Sequence, residues 1–108
     1  YTLLVFFQSY VIQDIDKQQV KNLLNNEVTV IDVRTEKEFK KKNIKTSFNL
    51  DFQKREFIDS LEKLDKKREY LIYCASGNKS RKASHIMKSL GFKVIYNYKK
   101  GYKDWIKD

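Results

Sequence analysis

Short apolar runs alternate with segments of helical period along this chain, and that alternation restricts the fold more than any other feature. "VTVIDV" (28–33) and "YLIYC" (70–74) are nearly continuous, β-branched or aromatic, and each is followed by polar or glycine-containing residues. A strand with one wet face alternates apolar and polar residues, whereas a continuous run fits a strand covered on both faces, as in a parallel sheet. "KVIYNY" (93–98), after Gly91, is a third such run, and "TSFNL" (46–50) is a weaker fourth.

Between the runs the spacing becomes helical. Val20, Leu23 and Leu24 stand at i, i+3, i+4 behind Asp16, which suits an N-cap. Thr35 and Glu38 have capping-box spacing, which predicts a short helix directly after the strand that ends at Val33. Phe57, Ile58, Leu61 and Leu64 mark a third helical face within 51–67. Ala83, Ile86, Met87 and Leu90 mark a fourth, beginning near Ser80 and stopped by Gly91. Strands alternating with helices predict an α/β fold on a parallel sheet, with ligands beyond the carboxyl ends of the strands.

With 108 residues, no proline and no Ser-rich linker, the chain has room for one core, and residues 12–108 are expected to form one domain. Residues 1–11 form a separate N-terminal segment. Its apolar run, Leu3–Phe7, reads either as an extra strand or as the end of a trimmed signal peptide. Its length and the missing small-residue cleavage pattern favour the strand, and with it a cytoplasmic over an exported protein. No apolar run approaches the roughly 18–20 residues needed to span a bilayer.

The net charge is +9. Its lysines lie in separate clusters, 37–42, 66–69 and 98–103, without the aromatic interleaving of a nucleic-acid motif, so no nucleic-acid partner is expected. Small anions, and an acidic protein acceptor, suit this surface. The single cysteine, Cys74, cannot form an internal disulfide, so nothing here argues for an oxidising compartment.

Cys74 stands at the carboxyl end of a predicted buried strand, followed by Ala75, Ser76, Gly77, Asn78, Lys79 and Ser80. One reading is a small buried hydrophobe, a common fate of free cysteine. The other is a nucleophile. A helix starting near Ser80 would aim unpaired N–H groups and a positive dipole end into the loop, which favours thiolate over thiol. Gly77 permits positive φ and close approach to a bound group, and Asn78 tolerates left-handed geometry. Lys79, Arg81 and Lys82 oppose the dipole at the helix start, an arrangement that makes sense if the loop receives an anion. Together these features favour the reactive thiolate, with Lys79 as an anion-binding residue and Arg81 directed to solvent.

"CASGNKS" resembles the active loop of the single-domain rhodaneses, or sulfurtransferases, commonly Cys-Arg-Ser-Gly-Asn-Arg-Ser. "VIDVRTEKEFKKKNI" resembles the family's Asp-Val-Arg segment, and "GFKVIYNYKKGYKDW" its closing strand and Gly-x-x-x-Trp. The resemblance runs from Ile15 to Trp105. It implies a rhodanese-like three-layer α/β/α domain around a mostly parallel sheet of about five strands, without metal or organic cofactor; a monomer is expected. It further implies that Cys74 takes a sulfane sulfur from thiosulfate or a persulfide donor and passes it to cyanide or a thiol, with Ala75–Ser80 and Arg34 as substrate-binding residues. A weakly active interaction or sulfur-carrier module is the alternative. The sequence departs from the pattern at Ala75 and Lys79, where Arg is frequent, and at Lys100, where the first glycine of a Gly-Gly pair is usual. The Cys-x5-Arg loop of related phosphatases is not met, because Ser80 holds its closing position.

Asp32 and Arg34 are expected to act structurally first, Asp32 by accepting backbone bonds and Arg34 by pairing with Glu38. Direct substrate contact by Arg34 is the less favoured reading. His85 lies off the apolar helical face and is expected at the surface, and Trp105 is expected to cap the core.

Overall fold

The computed structural model describes residues 11–107 and lays the predicted strands side by side in one sheet. In chain order the elements are β1 (Val11–Ile15), α1 (Lys17–Leu24), β2 (Thr29–Asp32), α2 (Glu36–Lys41), β3 (Phe48–Asn49), α3 (Phe57–Glu62), β4 (Glu69–Tyr73), α4 (Asn78–Ser89), β5 (Val94–Tyr98) and α5 (Gly101–Trp105). The strand order is β1-β5-β4-β2-β3, and every pairing is parallel. The central strand β4 therefore has no open edge.

The continuous apolar runs occupy both faces, as their pattern requires. Along β4, Tyr70, Ile72 and Cys74 face one core with Ile31, Val33 and Ile95. Leu71 and Tyr73 face the other with Val30 and Tyr98. α3 and α4 cover the first face through Phe57, Leu61, Ala83 and Met87. α1 and α5 cover the second through Val20, Leu23, Leu24, Tyr102 and Trp105. Burying each Leu, Ile or Phe is worth about 1.5–3 kcal/mol, so a strand apolar on both faces is most stable in the middle of three layers.

Local signals account for the helix starts. Asp16 accepts from the Gln19 amide while the Gln19 side chain accepts from the Asp16 amide, and Thr35 and Glu38 form the same reciprocal box. Several boundaries differ from expectation. β1 was not anticipated as a strand, because Gln13 and Asp14 interrupt its apolar residues; it is an edge strand, and both are exposed. α5 has no side-chain cap and was read only as a Gly-x-x-x-Trp tail. α3 is shorter than residues 51–67, and Ile58 is 47% exposed rather than part of the buried face. Leu3–Phe7 lies outside the described residues. Among the described residues, no helix is long and apolar enough to cross a membrane.

One buried phenol links the sheet to the α2–β3 connection. The Tyr73 hydroxyl accepts from the Ile44 amide at 3.0 Å and lies 3.0 Å from Ser47 Oγ, which donates to the Ile44 carbonyl at 2.6 Å. Burial raises the pKa of Tyr73 above its ordinary value, against the lowering effect of these bonds. Tyr73→Phe should therefore cost about 1–3 kcal/mol in urea unfolding at pH 7, since it leaves the Ile44 amide without its acceptor. The sign with pH follows from linkage. A phenol that ionises later when folded contributes stability below about pH 10 and loses it as pH rises further, so Tyr73→Phe should flatten the alkaline decline.

Candidate active site

β4 ends at Tyr73, and Cys74 follows at the carboxyl edge of the central strand. The chain then turns within three residues into α4, which begins at Asn78 rather than near Ser80, with Gly77 as its N-cap at φ +93°. The earlier start wraps the first turn of the helix around the sulfur. The Gly77 amide donates to Cys74 Sγ at 3.1 Å and the Ser80 amide at 3.2 Å. Ser80, itself fully buried, donates its hydroxyl to the Gly77 carbonyl at 3.2 Å and lies 3.5 Å from Sγ.

A second short helix holds the other side of the loop. At the start of α5 the Tyr102 amide donates to the Cys74 carbonyl at 2.7 Å, and the Lys103 amide to the Ala75 carbonyl at 2.9 Å. In a trans peptide the carbonyl and the following N–H point in opposite directions, so the amides of Ala75 and Ser76 face away from α5. Packing is close enough to require glycine at both joints. A Cβ on Gly77 would lie 1.9 Å from the Lys99 carbonyl oxygen, and one on Gly101 2.6 Å from that of Ala75. Among the described residues, the amides of Ala75, Ser76, Asn78 and Lys79 meet no acceptor.

Beside the loop is a cavity of about 170 Å³ lined by Arg34, Glu38, Cys74, Ala75, Ser76, Asn78 and Lys79. Of the predicted site residues, Gly77 and Ser80 are absent from this lining; both act from behind, on the sulfur. Larger depressions exist, among them about 240 Å³ beside Asp51, about 550 Å³ beside Glu27 and about 280 Å³ beside Gly77 and Asn97, but none of these three is lined by the thiol. Cys74 is only 2% exposed, so a reactant must enter the cavity to reach it.

Arg34 does not pair with Glu38. It forms a forked ion pair with the fully buried Asp32, Nε at 3.0 Å and Nη2 at 2.7 Å from Oδ2. Asp32 Oδ1 also accepts from the Arg34 amide at 2.8 Å. A buried carboxylate needs a partner more than the exposed Glu38 does, and Glu38 instead accepts from the Thr35 amide and hydroxyl. Burial opposes the charge on Arg34, but its hydrogen bond and attraction to Asp32 outweigh this and hold its pKa above the ordinary value. The guanidinium lies 4.2 Å from the Tyr102 ring centroid and 5.7 Å from that of Tyr73.

The other side chains divide clearly. Lys79 is half-buried at the cavity and has no ion pair among the described residues. Arg81 is exposed and donates to Asn78 Oδ1 at 3.3 Å, outside the Cys74 cavity. His85 is exposed. Trp105 caps the second core, edge-on to Tyr98 at 6.3 Å. Sequence reasoning missed Tyr102 and the cavity-lining position of Glu38. Tyr102 has a faint signal in following a glycine in "KKGYKDW"; Glu38 already had a complete role as a capping residue.

Because Gly77 combines positive φ with backbone contact, Gly77→Ala should destabilise the domain by on the order of 4 kcal/mol in urea unfolding. Gly91→Ala is the control. There φ is +98° but a Cβ meets no atom within 4 Å, so only left-handed strain of about 1 kcal/mol is expected.

Residues 16–108 match the Rhodanese-like domain family. A protein of Schizosaccharomyces pombe provisionally named a mitochondrial thiosulfate sulfurtransferase is 32% identical, over 93% of this chain and 84% of its own. The thiosulfate sulfurtransferase GlpE of Coxiella burnetii is 27% identical, over 73% of this chain and 72% of its own. Among solved structures, a rhodanese-like domain protein from Staphylococcus aureus superposes with a TM-score of 0.78 at 26% identity, covering 89% of this chain and 93% of that one. The five-stranded parallel sheet and the three sequence motifs therefore have one common explanation: the chain belongs to the rhodanese-like domain family.

Proposed function

We propose that the protein is a sulfurtransferase that carries a sulfane sulfur on Cys74 as a persulfide, taken from thiosulfate or a persulfide donor and delivered to cyanide or a thiol. The observation that carries this reading is the set of backbone donors around one sulfur. Gly77 and Ser80 donate to Sγ itself, and the amides of Ala75, Ser76, Asn78 and Lys79 lie along the same short loop with no acceptor among the described residues. A buried thiol acting only as core filler has no use for so many donors, whereas an anionic sulfur and its terminal sulfane atom do. The sulfurtransferase names of two relatives agree with this reading.

The cycle has two displacements. In loading, a lone pair of the Cys74 thiolate attacks the outer sulfur of thiosulfate. The sulfur–sulfur bond of the donor breaks, sulfite leaves with its electron pair, and the negative charge of the enzyme moves to the outer sulfur of the new persulfide. In release, the acceptor attacks that outer sulfur, and the pair of the breaking bond returns to Sγ. Splitting the transfer through a covalent carrier gives ping-pong kinetics. Lys79, the cavity's cation without an ion pair among the described residues, receives the anionic end of the donor; Arg34, occupied by Asp32, shapes the wall beside Tyr102. Ala75 leaves the position after Cys74 without a charge, so Lys79 bears more of the donor recognition than it would beside an arginine.

Thiosulfate should increase the intact mass of the wild type by one sulfur atom, and cyanide should remove it. Cys74→Ser should show neither change. No gain on the wild type, under conditions that load another rhodanese, would sink thiosulfate donation, and a gain surviving in Cys74→Ser would sink the site. Lys79→Ala should raise KM for thiosulfate by about tenfold, the size of a lost charged hydrogen bond, with a smaller change in kcat.

A further inference from the structure

Among the described residues, Ser80 is the one side chain of the loop that touches the sulfur, and its hydroxyl stands between that sulfur and a carbonyl. Its Oγ lies 3.5 Å from Cys74 Sγ and 3.2 Å from the Gly77 carbonyl oxygen, with the residue fully buried. A hydroxyl has one proton to give and two lone pairs that accept. With the thiol form, Cys74 donates to Oγ and the Ser80 proton goes to the Gly77 carbonyl. With the thiolate, Sγ has no proton, and the same hydroxyl gains more by turning its own proton to the sulfur, because a hydrogen bond to a charged acceptor is about twice as strong as a neutral one. The turn leaves nothing unsatisfied: the Gly77 carbonyl still accepts from the Arg81 amide at 3.1 Å.

We propose that the Ser80 hydroxyl is a catalytic donor that follows the charge on Cys74, released to Gly77 when the sulfur is neutral and turned to Sγ when it is anionic. This rests on the persulfide reading above. Its consequence is asymmetric between the two displacements. During loading, charge leaves Sγ for the outer sulfur, so a donor on Sγ stabilises the attacking thiolate and gives little help to the transition state. During release, the bonding pair returns to Sγ, and the hydroxyl joins the Gly77 and Ser80 amides as a third donor to the leaving thiolate. Ser80 therefore favours release over loading, and favours the thiolate over the thiol in the resting protein.

The test compares Ser80→Ala with the wild type in three measurements: sulfite formed in a single loading turnover, thiocyanate formed from pre-loaded protein and cyanide, and the pH profile of Cys74 alkylation by iodoacetamide. Ser80→Ala should slow release about tenfold while loading at alkaline pH is not slowed and is faster if anything, the contrast expected when one charged hydrogen bond stabilises the leaving thiolate of one step and the attacking thiolate of the other. Its alkylation profile should move to higher pH. Ser84→Ala removes a neighbouring buried hydroxyl that donates to the Ser80 carbonyl at 2.7 Å, and should change none of the three. Ser80→Thr keeps the hydroxyl and should release like the wild type. Equal losses in loading and release, an unmoved alkylation profile, or a folded Ser80→Thr as slow as Ser80→Ala would overturn the proposal. If Ser80→Ala does not fold, Ser80→Thr decides: release slowed about tenfold in the folded variant overturns it, and wild-type release upholds it. If the wild type takes up no sulfur, the persulfide reading fails, and the alkylation profile still judges the hydrogen bond by itself.

Discussion

The structure depends on where the peptide groups after Cys74 send their hydrogen bonds. A backbone amide and carbonyl cannot both be left unpaired in a protein interior, and this segment divides them between two partners. The Cys74 and Ala75 carbonyls go to the first amides of α5, while the Gly77 and Ser80 amides go to the sulfur. Neither half works alone. Without α5 the carbonyls would need other donors and the loop could turn over; without the sulfur the first turn of α4 would bury amides with nothing to meet. The two helices come near enough only because Gly77 and Gly101 lack side chains where they meet the Lys99 and Ala75 carbonyls.

Around this loop the sheet supplies rigidity and one costly element, the buried pair Asp32–Arg34. Taking both charges out of water costs several kcal/mol per ion, and the attraction between them returns this only when the remaining donors and acceptors are satisfied. Here they are. Asp32 accepts from the guanidinium and from the Arg34 amide, Arg34 also donates to the Lys42 carbonyl, and the guanidinium lies over the Tyr102 ring. The pair ties the end of β2 to the α2 exit and to α5, the same helix that holds the Cys74 carbonyl. A wall of the cavity and the orientation of the loop are thus set by one connected group of residues.

Much of the fold was readable because its signals are local or periodic. The continuous runs at 28–33 and 70–74 became β2 and β4, and the capping pairs Asp16–Gln19 and Thr35–Glu38 form as their spacing suggests. What escaped reading depended on distant partners. β1 contains Gln13 and Asp14 and is a strand because β5 lies beside it. α5 is five residues without a side-chain cap, and its initial amides are satisfied by Cys74 and Ala75, each twenty-eight residues before its donor. Arg34 was assigned to Glu38 on helical spacing, but burial of Asp32, which spacing cannot register, settled its partner.

By itself, then, the sequence determined the layered parallel sheet, the position of Cys74 at the end of a buried strand, and the glycine and small polar residues that allow a tight turn after it. Those are consequences of hydrophobic periodicity and backbone freedom, which act within a few residues. Only the tertiary structure decided which groups face the sulfur. It started α4 two residues earlier than expected, brought Ser80 behind Sγ, placed Glu38 and Lys79 together on the cavity wall, and set Tyr102 over Arg34. The reason is physical: hydrogen-bond direction and desolvation are settled between segments far apart in the chain, after the sheet has brought their ends together.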